Sequence, residues 1–265
     1  MTFRSVSLES LIIEDDDAFM TLPVYAALKR ALAGSGTSFL IPEAEGEISW
    51  DRALFLNLTF WSPDAGVEVL CNDHIPADVV AHAAWHHVVS QQLGPAPAGE
   101  GPAAEALFFA EAIASAFDLY LVGRLLREAS GTDFISTQVP IMRDVAADAG
   151  LSEDEFASLL EGVCADPAQA FEELRALLFQ VTTALWACRG VAEAANVLGQ
   201  HTQHRFGPLL HHFQLSNWIL YARAYAGAAP AQARAVNELD GRLRDGAGGL
   251  SWLQQSWLSV EPSAG

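Results

Sequence analysis

The chain has 265 residues, 51% of them hydrophobic and 18% charged, enough to bury a substantial core and too apolar for a disordered chain. Its 33 acidic and 14 basic residues give a formal net charge of −19. With no lysine/arginine stripe to offset that field, nucleic acid and anionic membrane surfaces are excluded as expected partners.

Three cysteines, Cys71, Cys164 and Cys188, lie far apart in apolar runs. They read as buried free thiols, not as a disulfide framework or a cysteine zinc site. The first residues, MTFRSVSLESLIIEDDDAF, lack a basic stretch followed by an apolar one. No apolar run is read as approaching the roughly 20 residues of a membrane span. The expected location is cytoplasmic.

In chain order, the first forty residues read as a helical entry segment. Leu22, Tyr25, Ala26, Leu28, Lys29 and Leu32 follow helical spacing around Pro23, and the sequence GSGTS at 34–38 ends the helix. The acidic run Glu14 to Asp17 reads as a solvated helix flank. The clearest β pattern is ALFLNLTF at 53–60 and GVEVLC at 66–71, joined by a turn into a hairpin. Asp73 then caps a helix that has Pro76 in its first turn and runs to about Gln92. A Gly/Pro-rich loop spans 94–103, and a long helix follows from about Ala103 to Ala129. Further helices are expected at 139–149, 152–164, 167–188, 190–205, 208–226, 230–245 and 250–258. The expected fold is mainly α, with a small β-hairpin or sheet in the N-terminal half and an all-helical C-terminal half. The expected division is a mixed α+β part at 1–135 and a helical part at 136–265.

The chemistry-bearing pattern is His-Ala-Ala-Trp-His-His at 82–87. His82 and His86 are four apart on a helix, so their imidazoles leave one face and can meet one ion. The next helix carries Glu111 among Leu107, Phe108, Ile113, Ala114 and Phe117. A carboxylate in such surroundings is costly to desolvate unless a cation balances it. Two imidazoles and one carboxylate suit zinc, leaving a fourth position open. Iron(II) accepts the same donor set, which makes a non-haem iron oxygenase the alternative enzyme class. A non-enzymatic helical interaction protein, binding a peptide or protein ligand, is the third reading.

The order of a β pair, a helix with two histidines four apart, a loop and a second helix bearing a glutamate resembles the gluzincin (thermolysin-like) metallopeptidases. The stretch Ala110-Glu111-Ala112-Ile113-Ala114 is similar to that family's second motif, and Glu111 follows His86 by 25 residues. The resemblance covers roughly 53–120. It implies that His82, His86 and Glu111 hold zinc in a zinc-dependent hydrolase. It also implies a general-base glutamate directly after the first histidine, where this chain has Ala83. A methyl group accepts no proton, so the expected protein binds metal and is inactive or impaired as a peptidase.

Ser115 and Asp118, one and two turns beyond Glu111, are expected partners for a ring N–H of a ligand histidine. His87, rotated by roughly 100° on the helix, is read as structural. The cluster His201, His204, His211 and His212 is divided by Gly207-Pro208, the first pair ending one helix and the second opening the next. Within it, His204 and His211 are the candidates for stabilising a polarised oxygen, and a second metal site and a titrating surface are the other readings. Trp218, Tyr221 and Tyr225 fall at helical spacing and read as packing residues.

Overall fold

The computed structural model describes residues 2–43, 70, 72–96, 101–245 and 249–258. The expected hairpin at 53–71 lies outside the described residues, Leu70 excepted. The architecture is mainly α with a small β component near the N-terminus. Its contacts divide it into two compact units, Met1–His87 and Val88–Gly265.

The first unit corrects the reading of residues 1–40 as a helical entry. Strand β1 (Thr2–Ser7) pairs antiparallel with β3 (Ser38–Glu43), from Thr2 opposite Glu43 to Ser7 opposite Ser38. Strand β2 (Ile12–Glu14) pairs in parallel with β4 (His74–Pro76), which places Pro76 in a strand and not in a helix. Both pairings are long-range, and short strands of this kind leave little trace in local periodicity. Between them lie a short helix α1 (Asp16–Phe19) and α2 (Pro23–Gly34), the helix expected after Pro23. Its apolar stripe buries Tyr25, Leu28 and Leu32. The acidic run is more than a solvated flank. Asp16 accepts hydrogen bonds from the Tyr25 hydroxyl at 2.9 Å and the Lys29 ammonium at 2.6 Å, while Glu14 lies 3.0 Å from the His74 ring. Burial, then the Asp16 carboxylate, pushes the Tyr25 phenol far above its ordinary range.

Helix α3 (Ala77–Leu93) is continuous, and the division between the units falls within it. The second unit is built around α4 (Ala104–Leu125), which is apolar on all sides and accordingly buried on nearly all of them. Around it pack α5 (Asp133–Asp148), α6 (Glu153–Ala165), α7 (Pro167–Ala187), α9 (Leu215–Tyr225) and α10 (Pro230–Asp245). The shorter α8 (Val191–Gly199) and α11 (Gly249–Leu253) contact α7. Thus α4 groups with the helices that follow it. By length and composition α4 is also apolar enough to cross a membrane, correcting the reading that no run approaches that length; 89% of its most apolar stretch is buried inside the protein.

Small residues let neighbours approach α4. A Cβ at Gly123 would sit 2.8 Å from the Val163 carbonyl oxygen and 3.0 Å from Pro167 Cβ, so the α6–α7 junction rests directly on this glycine. The start of α4 is fixed by Gln232, whose side chain accepts from the Ala103 N–H at 2.8 Å and donates to the Gly94 carbonyl at 3.1 Å.

Some boundaries differ from expectation. Helix α5 begins six residues early because Thr132 caps it through the Ile135 N–H, and Pro140 lies inside it. Helix α8 stops at Gly199 instead of 205, and the segment 208–226 is a 3-10 helix (Gly207–Phe213) broken from α9 at Gln214, whose φ is 48°. The histidine pairs therefore fall elsewhere than expected: His201 and His204 lie in turns after α8, and His211 and His212 close the 3-10 helix instead of opening one.

Arg175 on α7 is fully buried. It is paired with Glu172 and, at 2.8 Å, with Asp240 of α10, and its guanidinium lies 5.7 Å from the centre of the Phe109 ring on α4. Removing one partner from a buried ion network leaves the other charges uncompensated. Arg175→Ala is expected to lower unfolding free energy by about 3 kcal/mol or more, read from the urea midpoint. A loss below about 1 kcal/mol, the range of surface pairs, would show that the network does not brace these helices.

Candidate metal centre

On α3 the spacing of four puts both imidazoles on one side of the helix, with ring centroids 4.9 Å apart and planes at 33°. Both residues are half-buried, whereas Ala83 and Glu111 are buried, Glu111 at 8% exposure. One ring nitrogen of each histidine and one carboxylate oxygen of Glu111 all lie within 4.8 Å of one another. Tetrahedral zinc with bonds of about 2.0–2.1 Å spaces its donors roughly 3.4 Å apart. Side-chain adjustments of about 1 Å would convert one arrangement into the other. The group can hold a metal ion.

Glu111 also has a phenolic neighbour. The Tyr221 hydroxyl on α9 is held above its ordinary pKa by burial first and then by the Glu111 carboxylate, with a smaller effect from Tyr225. The Tyr221 and Tyr225 rings lie 4.8 Å apart with their planes tilted by 52°. Trp218 is buried as expected of a packing residue, but Tyr221 also lies within the electrostatic influence of the carboxylate. Only tertiary structure carries that signal, because 110 residues separate the two in sequence.

Ser115 is buried on α4, and Asp118 is half-buried two turns beyond Glu111. Asp118 also influences the charge state of His212. Burial lowers the His212 pKa, and Asp118 opposes that shift. Its Nδ1 is buried without a hydrogen-bond partner, and its ring meets Phe213 edge-on at 5.0 Å. His204 accepts the Phe206 N–H at Nδ1, 3.1 Å away, and burial lowers its pKa as well. His211 is exposed and lines a cleft on another part of this unit. Among the described residues no second group of three such donors exists, so the His201–His212 cluster forms no metal site of that kind. His87 is half-buried and its pKa is lowered by burial. Cys164 and Cys188 are half-buried free thiols, and burial raises the Cys164 pKa; Cys71 lies outside the described residues.

No family model, curated protein or solved structure matches this chain.

His204 and His212 both have folded-state pKa values below the ordinary 6.5. Between that value and the folded ones, the unfolded chain binds protons that the folded chain does not. Stability therefore rises with pH through this window and falls as pH drops below about 6.5. In urea titrations between about pH 5 and 7, His212→Phe is expected to flatten this slope while keeping the ring packing on Phe213. An unchanged slope would show that His212 does not titrate with folding.

Proposed function

We propose that the chain is a zincin-like metal-binding protein in which His82, His86 and Glu111 hold a single divalent ion, zinc before iron. The carrying observation is the convergence of two imidazole nitrogens and a buried carboxylate oxygen within 4.8 Å. Neutral imidazoles with one carboxylate match the donor set of open zinc sites. The cation would also balance a carboxylate embedded in the most buried helix.

When bound, the ion would act as a Lewis acid toward a carbonyl oxygen. The chain's own groups then decide what reaction can follow. Ala83, next to His82 and 7% exposed, offers no proton acceptor where a zincin has its general base. The Tyr221 hydroxyl, whose pKa is raised by burial and by the Glu111 charge, would stay protonated and able to donate a hydrogen bond. The reading is thus a metallopeptidase-related protein that binds metal and hydrolyses peptides poorly or not at all.

Elemental analysis of tag-free protein is expected to give about one zinc per chain, with most of it lost in His86→Ala and Glu111→Gln. Stoichiometric iron would move the centre to a different chemistry, and no metal in either form would remove it. A second experiment separates binding from catalysis. Ala83→Glu, with metal content and thermal unfolding unchanged, is expected to raise cleavage of a generic peptide by about a hundredfold or more, the range for a positioned general base. A metal-loaded Ala83→Glu protein with no gain would refute the peptidase relationship and leave metal binding standing.

A further inference from the structure

A cleft of about 640 Å³ opens in the helical unit between the end of α7, α8 and α9. Its walls are largely apolar, including Leu185, Leu198, Leu215 and Ile219, with Leu220 and Val191 at 64% and 88% exposure on the rim. The charged residues that line it are Arg189 and Arg223, and no aspartate or glutamate does. In a chain with 33 acidic residues against 14 basic ones, that local reversal of sign is informative.

Neither guanidinium is in an ion pair among the described residues. Arg223 lies 6.0 Å from the centre of the Trp186 ring, and the nearby Glu193 carboxylate accepts the backbone N–H of Arg189. Gly190 and Val191, which also line the cleft, open α8, whose first turn has no side-chain cap. The free amides of that turn add partial positive charge, which Glu193 in the same turn offsets in part.

An apolar trough lined also by two cationic side chains is complementary to a molecule with a hydrocarbon body and one anionic end. We propose that this cleft binds a medium-chain carboxylate, its chain lying along Leu185, Leu198, Leu215 and Ile219 and its carboxylate meeting Arg189 and Arg223. The volume lies within the range of small-ligand sites, and a few polar groups fixing the orientation of an apolar body is their usual composition. Arginine suits the anionic end because its planar fork binds a carboxylate through two parallel hydrogen bonds. The proposal is independent of the metal centre.

The test is calorimetric titration of the full chain with dodecanoate below its micelle threshold, beside dodecanol and dodecyltrimethylammonium. Dodecanoate is expected to bind at one site, at least about tenfold more tightly than either analogue, since only its carboxylate forms charge-assisted hydrogen bonds to the arginines. Arg189→Ala/Arg223→Ala is expected to remove that preference. Ile219→Trp, which fills the trough and leaves both arginines, is expected to weaken dodecanoate and dodecanol alike. Each variant is checked for native circular dichroism and unfolding midpoint; if the double variant fails to fold, Arg189→Gln and Arg223→Gln singly replace it. No binding by dodecanoate, equal binding of all three amphiphiles, or an undiminished preference in a folded arginine variant would each overturn the proposal.

Discussion

A buried carboxylate in an almost wholly apolar helix is the constraint on which the proposed function depends. Glu111 is 8% exposed on a helix whose other buried residues are almost all apolar. A carboxylate removed from water to that degree costs several kcal/mol unless opposite charge or strong donors meet it. The groups beside it include the His82 and His86 imidazoles and the Tyr221 phenol. One protonated ring would balance the charge by itself. Two rings converging with the carboxylate suit a shared cation better than a simple ion pair.

The fold places these groups by ordinary means. A spacing of four on α3 aligns the two histidines, and the registry of α4 is set by Gln232 at its start and by Gly123 near its end. Arg175 joins α7 to α10 beside Phe109, less than one turn before Glu111. Helix α9 serves two places at once. It supplies Tyr221 to Glu111, and it supplies Ile219, Leu220 and Arg223 to the apolar cleft.

Much of this was legible in the sequence wherever the information is local. The i, i+4 histidines, the apolar surroundings of Glu111 and the helix starts near residues 152, 167 and 230 all sit within a few residues of what they determine. The long-range features were not. Strand β1 reads as helix entry because its partner begins thirty-one residues after its own end, at Ser38, and β2 pairs with residues about sixty positions away. The break at Gln214 was hidden because a non-glycine residue adopts a left-handed conformation there, so no glycine marks the end of the 3-10 helix. The Asp118–His212 and Glu111–Tyr221 relationships have no sequence signature, since helix packing alone creates them.

The most direct measurement is the zinc X-ray absorption spectrum of the metal-loaded full chain. The account predicts a nitrogen/oxygen shell at about 2.0–2.1 Å of about four donors, with the outer-shell scattering of two imidazoles, and loss of half of that scattering in His82→Ala. A sulfur shell near 2.3 Å, or an oxygen-only environment without imidazole scattering, would contradict it.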